Sequence, residues 1–136
     1  MNALDILKRC RDGFDEVKEI ESAIQRREKM GIGTEELPDL QHRLQMRKRR
    51  HRAERTATLY ICESLKAAER DVMFARYAER KSVAQISIFL KISESSVKRT
   101  IRIAEQNLEL LGMSDMTGYL PEWYEKQERS EPGEPG

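Results

Sequence analysis

Apolar residues in the first thirty positions recur at Ala3, Leu7, Cys10, Phe14, Val17 and Ile24, a three-and-four spacing with Glu21 as its polar exception. This periodicity predicts a helix over residues 3–30 with one narrow apolar seam, the pattern of a helix that needs a partner. The seam stops at MGIGTEELP, where Gly31 and Gly33 can take left-handed backbone conformations at no steric cost. A second helix is expected from there. Thr34 is its N-cap, Glu35 and Glu36 suit the positive end of the dipole, and Pro38 falls in a first turn whose amides have no intrahelical acceptor. Leu37, Leu40 and Leu44 continue the seam, and Leu59, Ile61 and Leu65 resume it, so this helix is expected to run to about Lys66. A short glycine-containing turn between two long helices predicts an antiparallel hairpin. The seam is satisfied either by the second helix of the same chain or by another copy, and the latter case predicts a homodimer.

Residues 67–111 carry shorter patterns. AAERDVMFARYAER reads as about three helical turns with Val72, Phe74, Ala75 and Tyr77 as apolar candidates, broken at Lys81-Ser82. Ser82 with Gln85 three residues later forms a capping box. The short helix it opens has Val83, Ile86, Phe89 and Leu90 as its expected buried stripe. LKIS is a tight turn, and Ser93 caps a third helix running to Leu111 before Gly112. Val97, Ile101, Ala104, Leu108 and Leu111 mark its inner face. Two helices joined by so short a turn, the second the longer, make a helix-turn-helix. The expected fold is therefore all-α: a charged helical hairpin over 1–66, a three-helix unit over 67–111 and a tail over 112–136. In the tail, Tyr119, Leu120, Trp123 and Tyr124 are candidates for a short packed element, and KQERSEPGEPG lacks the apolar content to fold.

Composition changes the picture in one respect. Charged residues make up 36% of the chain and aromatics 6%, which excludes a large compact core. The net charge of +1 hides an asymmetry: residues 1–66 carry 15 basic and 12 acidic side chains, 67–111 carry 8 and 6, and 112–136 carry 2 and 6. The densest run is MRKRRHRAER, residues 46–55, containing Arg47, Lys48, Arg49, Arg50 and Arg52. Three readings stay open for it: a solvated face, a face paired with Asp15, Glu16 and Glu19 of the first helix, or a phosphate-binding stripe.

The sharper candidate is KISESSVKRT. With Val97 and Ile101 inward at 100° per residue, Ser95, Arg99, Arg102 and Gln106 point outward and Lys98 flanks them. In a helix-turn-helix the second helix enters the major groove and its N-terminal residues meet base edges. Small residues there permit close approach, the free amides attract phosphate, and Arg supplies forked donors for guanine or phosphate. The plain alternative is a surface helix with ordinary polar residues outward.

Residues 69–111 resemble region 4 of the sigma-70 family, through ERDVMFARY, SVAQIS followed by Leu90, ISESSVKR and the later AEQNL. LuxR-type response regulators share a similar ISESSVK stretch. The resemblance implies a double-stranded DNA reader that also contacts RNA polymerase, with Glu94, Ser95, Ser96, Lys98, Arg99 and Arg102, behind the Ser93 cap, facing DNA. Two positions depart from the family pattern: Lys91 stands where the turn usually has glycine, and Ser87 where the short helix usually has another small residue. A left-handed backbone at Lys91 costs roughly 1 kcal/mol relative to glycine. Upstream, residues 1–66 contain only Phe14 and Tyr60 as aromatics, so the promoter-melting segment of a complete sigma factor is missing. The architecture is similar instead to the small phage and prophage regulators of the ArpU and RinA type.

No chemistry competes with this reading. His42 and His51 lie on one charged helix with no triad or metal spacing around them. Cys10 and Cys62 fit no metal or disulfide framework and suit a reducing cytoplasm. Neither an apolar span for a membrane nor a secretory signal is visible. An enzyme, a cofactor and a small-molecule substrate are not expected. The rival expectation is an adaptor whose three-helix unit binds a protein, RNA polymerase included, without reading DNA.

Overall fold

A computed structural model of the chain describes residues 2–110. The expectations for Leu111, Gly112 and the tail, including Tyr119, Leu120, Trp123 and Tyr124, lie outside the described residues. Within them the fold is all-α, with two long helices followed by three shorter ones. Helix α1 spans Ala3–Met30, α2 Leu37–Glu63, α3 Ala67–Tyr77, α4 Val83–Leu90 and α5 Glu94–Glu109.

Helix α1 begins with a reciprocal cap. The Asp5 amide donates to the Asn2 side chain at 3.0 Å, and the Asn2 amide donates to the Asp5 carboxylate at 2.8 Å, satisfying two amides that the helix itself leaves open. At its other end Gly31 takes φ 67° and returns its amide to the Arg27 carbonyl, as its position predicted. Gly33 also lies in the left-handed region, at φ 70°. Thr34 is not the N-cap expected of it. Thr34–Glu36 form one 3-10 turn, and α2 starts at Leu37 with Pro38 in its first turn. Arg27 holds this corner by donating to Glu36 at 2.8 Å and to the Ala23 carbonyl at 3.3 Å.

Cys10 meets His51 and Glu16 meets Arg47, and Arg27 meets Glu36 in the turn before α2, so numbers fall along the returning arm as they rise on α1 and the pair is antiparallel. The α1 seam thus packs on α2 of the same chain, with Ala3, Leu7, Cys10 and Ile24 buried and Phe14 and Val17 half-buried. Helix α2 ends at Glu63 rather than Lys66, because Ser64 and Leu65 already fold into a turn on the Ile61 and Cys62 carbonyls. Leu59, expected on the seam, is exposed, while Ala53, Ala57, Ile61 and Cys62 take the inner positions.

The largest departure from the periodicity is at the start of α1. Leu4 and Ile6, outside the seam, are buried together with Ala3 and Leu7. The narrow stripe becomes a fully enclosed end because α2 covers one side and α3 and α5 the other. One core cluster joins Leu4, Ile6 and Leu7 to Ile61 of α2, Met73 and Tyr77 of α3, and Ala104 and Leu108 of α5. The segments on either side of residue 66 therefore share a core. A second cluster, Val72, Ala75, Ile86 and Val97, lies within the three-helix unit, and Ile101 packs against both. Phe89 does not join it: the ring expected in the buried stripe is 65% exposed, beside the Lys81 ammonium at 3.9 Å from its centroid.

A charged layer crosses the hairpin. Glu54 is 2% exposed, and its carboxylate accepts from Arg47 at 3.0 Å. Arg47 also donates to Glu16. Burial alone would lower the Arg47 pKa, but these two carboxylates outweigh it and hold the guanidinium charged. These side chains of α2 fit against α1 because residue 13 is glycine. A Cβ at Gly13 would stand 2.5 Å from the Glu54 carboxylate, 2.7 Å from Arg47 and 2.9 Å from His51.

Gly13→Ala should destabilise the fold by about 1–3 kcal/mol, although alanine is the better helix former, because the added methyl pushes on a buried charge pair. Urea denaturation with an unchanged m-value reads this directly, and a neutral or stabilising result contradicts it. His51 is held below the ordinary imidazole value of 6.5, first by burial and then by the Arg47 charge. The folded chain therefore favours the neutral ring. Its contribution to stability is complete above about pH 6.5 and is lost as pH falls through the lowered folded value. Between pH 7 and 5 the parent should lose more stability than His51→Gln; equal losses would remove this role.

Candidate nucleic-acid interface

The candidate surface is built on α4, its turn and α5. Ser82 and Gln85 form the expected capping box: the Gln85 amide donates to Ser82 Oγ at 3.1 Å, and the Ser82 amide to Gln85 Oε1 at 2.8 Å. Lys91 leaves α4 in the left-handed region at φ 58°, ψ 43°. The conformation that a glycine would favour is therefore present, and a lysine adopts it. Ser87 holds the turn in this shape. Its carbonyl accepts from the Lys91 and Ile92 amides, and its hydroxyl donates to the Ile92 carbonyl.

Three residues, Lys91 to Ser93, separate α4 from the 16-residue α5. Ser93 caps α5, its oxygen accepting from the Ser96 amide at 3.1 Å. Its hydroxyl donates to Ser96 Oγ at 2.9 Å, so these two hydroxyls occupy one another and Ser96 is half-buried. Val97, Ala104 and Leu108 are completely buried, as the periodicity predicts, and anchor the helix along its length. Ser95, Lys98, Arg99, Arg102 and Gln106 stand in solvent with Glu94 at the helix start. No arm of the hairpin covers Arg99 or Arg102.

The predicted basic stripe on α2 is divided among different surroundings. Arg47 is enclosed by Glu16 and Glu54, and Lys48 lies 3.9 Å from Glu21. Arg49 and Arg50 are half-buried, and Arg52 is exposed. The pairing reading thus describes Arg47, whose donors turn into the hairpin. Asp15, grouped with Glu16 in that reading, turns elsewhere: it accepts from Arg80 at 3.0 and 2.7 Å. The Arg80 guanidinium, first through its hydrogen bond and then through its charge, holds the Asp15 carboxyl below its ordinary range.

Periodicity does not reveal the groove on one flank of α5. Arg11 from α1, Arg76 from α3 and Arg80 from the following turn line it, facing Lys98 and Arg102, around a space of about 440 Å³. Tyr77 forms its floor and donates to the half-buried Glu105. Burial first, and then this carboxylate, raise the Tyr77 pKa, so the phenol stays protonated. The Arg11 guanidinium lies 5.9 Å from the Tyr77 ring centroid. No local signal marks Arg11 or Arg76, since they reach the groove from helices distant in sequence.

Elsewhere the reactive side chains are quiet. Burial pushes the Cys10 thiol up to about 11 and the Cys62 thiol up to about 12, so both remain protonated at neutral pH. Among the described residues no three His, Cys, Asp or Glu side chains cluster to hold a metal ion, and no helix is long and apolar enough to cross a membrane. Comparison with protein-family models, with curated proteins and with solved structures returns no match.

Lys91→Gly should stabilise the protein by up to about 0.5 kcal/mol, the roughly 1 kcal/mol relief of a left-handed lysine less the extra freedom glycine has when unfolded. A higher urea midpoint at constant m is the expected result; a lower one would show that the lysine side chain contributes more than its backbone costs.

Proposed function

We propose that this chain is a sequence-specific DNA-binding transcriptional regulator that reads the major groove with α5, in the manner of the sigma-70 region 4 segment it resembles. The observation that carries this reading is the division of α5 into two faces. Val97, Ala104 and Leu108 are at 0% exposure, while Ser95, Lys98, Arg99, Arg102 and Gln106 are exposed from a capped, rigidly seated helix. An exposed helix start of small and cationic residues has the shape and donors for base edges and phosphates. In this reading Arg99 and Gln106, central on the exposed face, are the candidates for base contacts, and Arg102, toward the flank, is the candidate for the adjoining phosphate. Ser95, Glu94 and the Ser93–Ser96 cap set the approach of the backbone. The similarity in architecture to small phage and prophage regulators, and a cytoplasmic setting beside RNA polymerase, belong to the same proposal.

One observation favours a second reading, the adaptor. Ile88 is 79% exposed and lies beside the exposed Phe89 at the end of α4, with Ile92 following in the turn. Apolar residues so placed suit a protein surface, RNA polymerase being the partner that the resemblance implies.

Salt separates the two. A DNA reader loses affinity for duplex with a log–log slope of roughly −0.9 per neutralised phosphate, whereas an adaptor shows no duplex binding at physiological salt. After selection of bound sites from a random duplex pool, Arg99→Ala should cost on the order of 1–3 kcal/mol on the selected site and relax preference at one position, whereas Arg102→Ala should weaken selected and random duplexes alike. Variants that bind selected and random duplexes as the parent does would exclude α5 as the reader.

A further inference from the structure

We propose that the groove between α1, α3 and α5 is a phosphate cradle, in which Arg11, Arg76, Lys98 and Arg102 close on the DNA backbone beside the groove that α5 enters. The inference rests on the DNA reading and extends the binding surface to the N-terminal hairpin. Five cations line the groove, and only some are already engaged. Arg80 gives two donors to Asp15, and Arg11 gives Nε to Asp12 at 3.1 Å. Arg76 gives one donor to the Lys81 carbonyl at 3.3 Å. Lys98 and Arg102 form no ion pair among the described residues. The carboxylate within the groove, Glu105, accepts the Tyr77 hydroxyl. Forked guanidinium donors left on Arg11, Arg76 and Arg102 match the oxygens of a phosphodiester.

Position decides between a phosphodiester and an acidic peptide. A helix is about 10–12 Å across and the major groove of B-DNA about 12 Å wide, so a helix seated there has its flanks against the phosphates of both strands. Lys98 and Arg102 are one turn apart on the flank that faces α1 and α3, whereas Arg99 lies around the helix from them. A backbone running along that flank reaches Arg11 and Arg76 next. The hairpin is then part of the binding surface, because the shared core holds α1 against α5.

The test compares full-length parent with Arg11→Gln/Arg76→Gln, two positions away from the base-reading face. Affinity for selected and scrambled duplexes should fall by the same factor, about fivefold or more, and the ratio between them should hold. The salt slope should shrink by about 0.9 for each phosphate no longer neutralised. Unchanged affinity and slope overturn the cradle while leaving α5 as reader. Glu105→Gln keeps an acceptor for Tyr77 and removes the groove's carboxylate, so both duplexes should bind more tightly, by about two- to fivefold; unchanged or weaker binding overturns the cradle. Should the double variant lose its helical circular dichroism, Glu105→Gln decides alone. If the parent binds no duplex, the DNA reading fails, and titration with inorganic phosphate decides the rest. Shifts of the Arg76 and Lys98 resonances support a site for free phosphoryl anions, and silent spectra overturn it. Binding of polyglutamate, with neither duplex nor phosphate bound, overturns the cradle in favour of an acidic protein partner.

Discussion

The enclosure of the first two turns of α1 is the interaction on which the rest of the structure depends. Ala3, Leu4, Ile6 and Leu7 fill the space where α2, α3 and α5 converge. Without it the hairpin would be two charged helices with a thin seam, and the three-helix unit would have only the small cluster around Val72, Ile86 and Val97. Burying a Leu or Ile side chain contributes about 1.5–3 kcal/mol, so these few residues are comparable with the whole stability of a small domain. The burial also carries position: it sets Arg11 above Tyr77 and brings Asp15 to Arg80.

Charge is treated differently in the two halves. In the hairpin, Arg47 and Lys48 of α2 meet Glu16 and Glu21 of α1, and the most enclosed carboxylate, Glu54, has Arg47 of its own helix against it. Removing Arg47 would leave the Glu54 charge buried and uncompensated, and the contact from Arg47 to Glu16 is what ties this pair to α1. On α5 the cations face outward or into an open groove, and Lys98 and Arg102 lack ion-pair partners among the described residues. Exposed pairs contribute little to stability. The absence of such partners among the described residues therefore costs the fold little.

The short helix α4 is bounded by two residues in left-handed conformations, Arg80 at φ 60° and Lys91 at φ 58°. Each costs on the order of 1 kcal/mol. The surroundings hold both. Arg80 is drawn to Asp15 through two hydrogen bonds, and Lys91 is held by the Ser87 carbonyl and the closing of the turn. These two bends set the angles at which α4 leaves α3 and α5 leaves α4, and hence the direction in which Ser95 and Arg99 project.

Local signals determined the elements of this protein. The three-and-four spacing, the capping box at Ser82 and Gln85, the Ser93 cap and the glycines at 31 and 33 each act within a turn or two of chain. A reader of the sequence therefore finds the helices, the hairpin and the outward face of α5. Only tertiary structure decided what depends on residues distant along the chain. It buried Leu4 and Ile6 outside the seam, left Phe89 in solvent, turned Arg47 inward to Glu16 and Glu54, and drew Arg11 and Arg76 to the flank of α5. Periodicity describes one helix against one generic apolar partner. At the N-terminal end of α1 three helices meet, and around α4 the core is too small to cover every apolar side chain. There the sum of several packed surfaces, which no single stretch encodes, settles which residues are covered and which charges remain open.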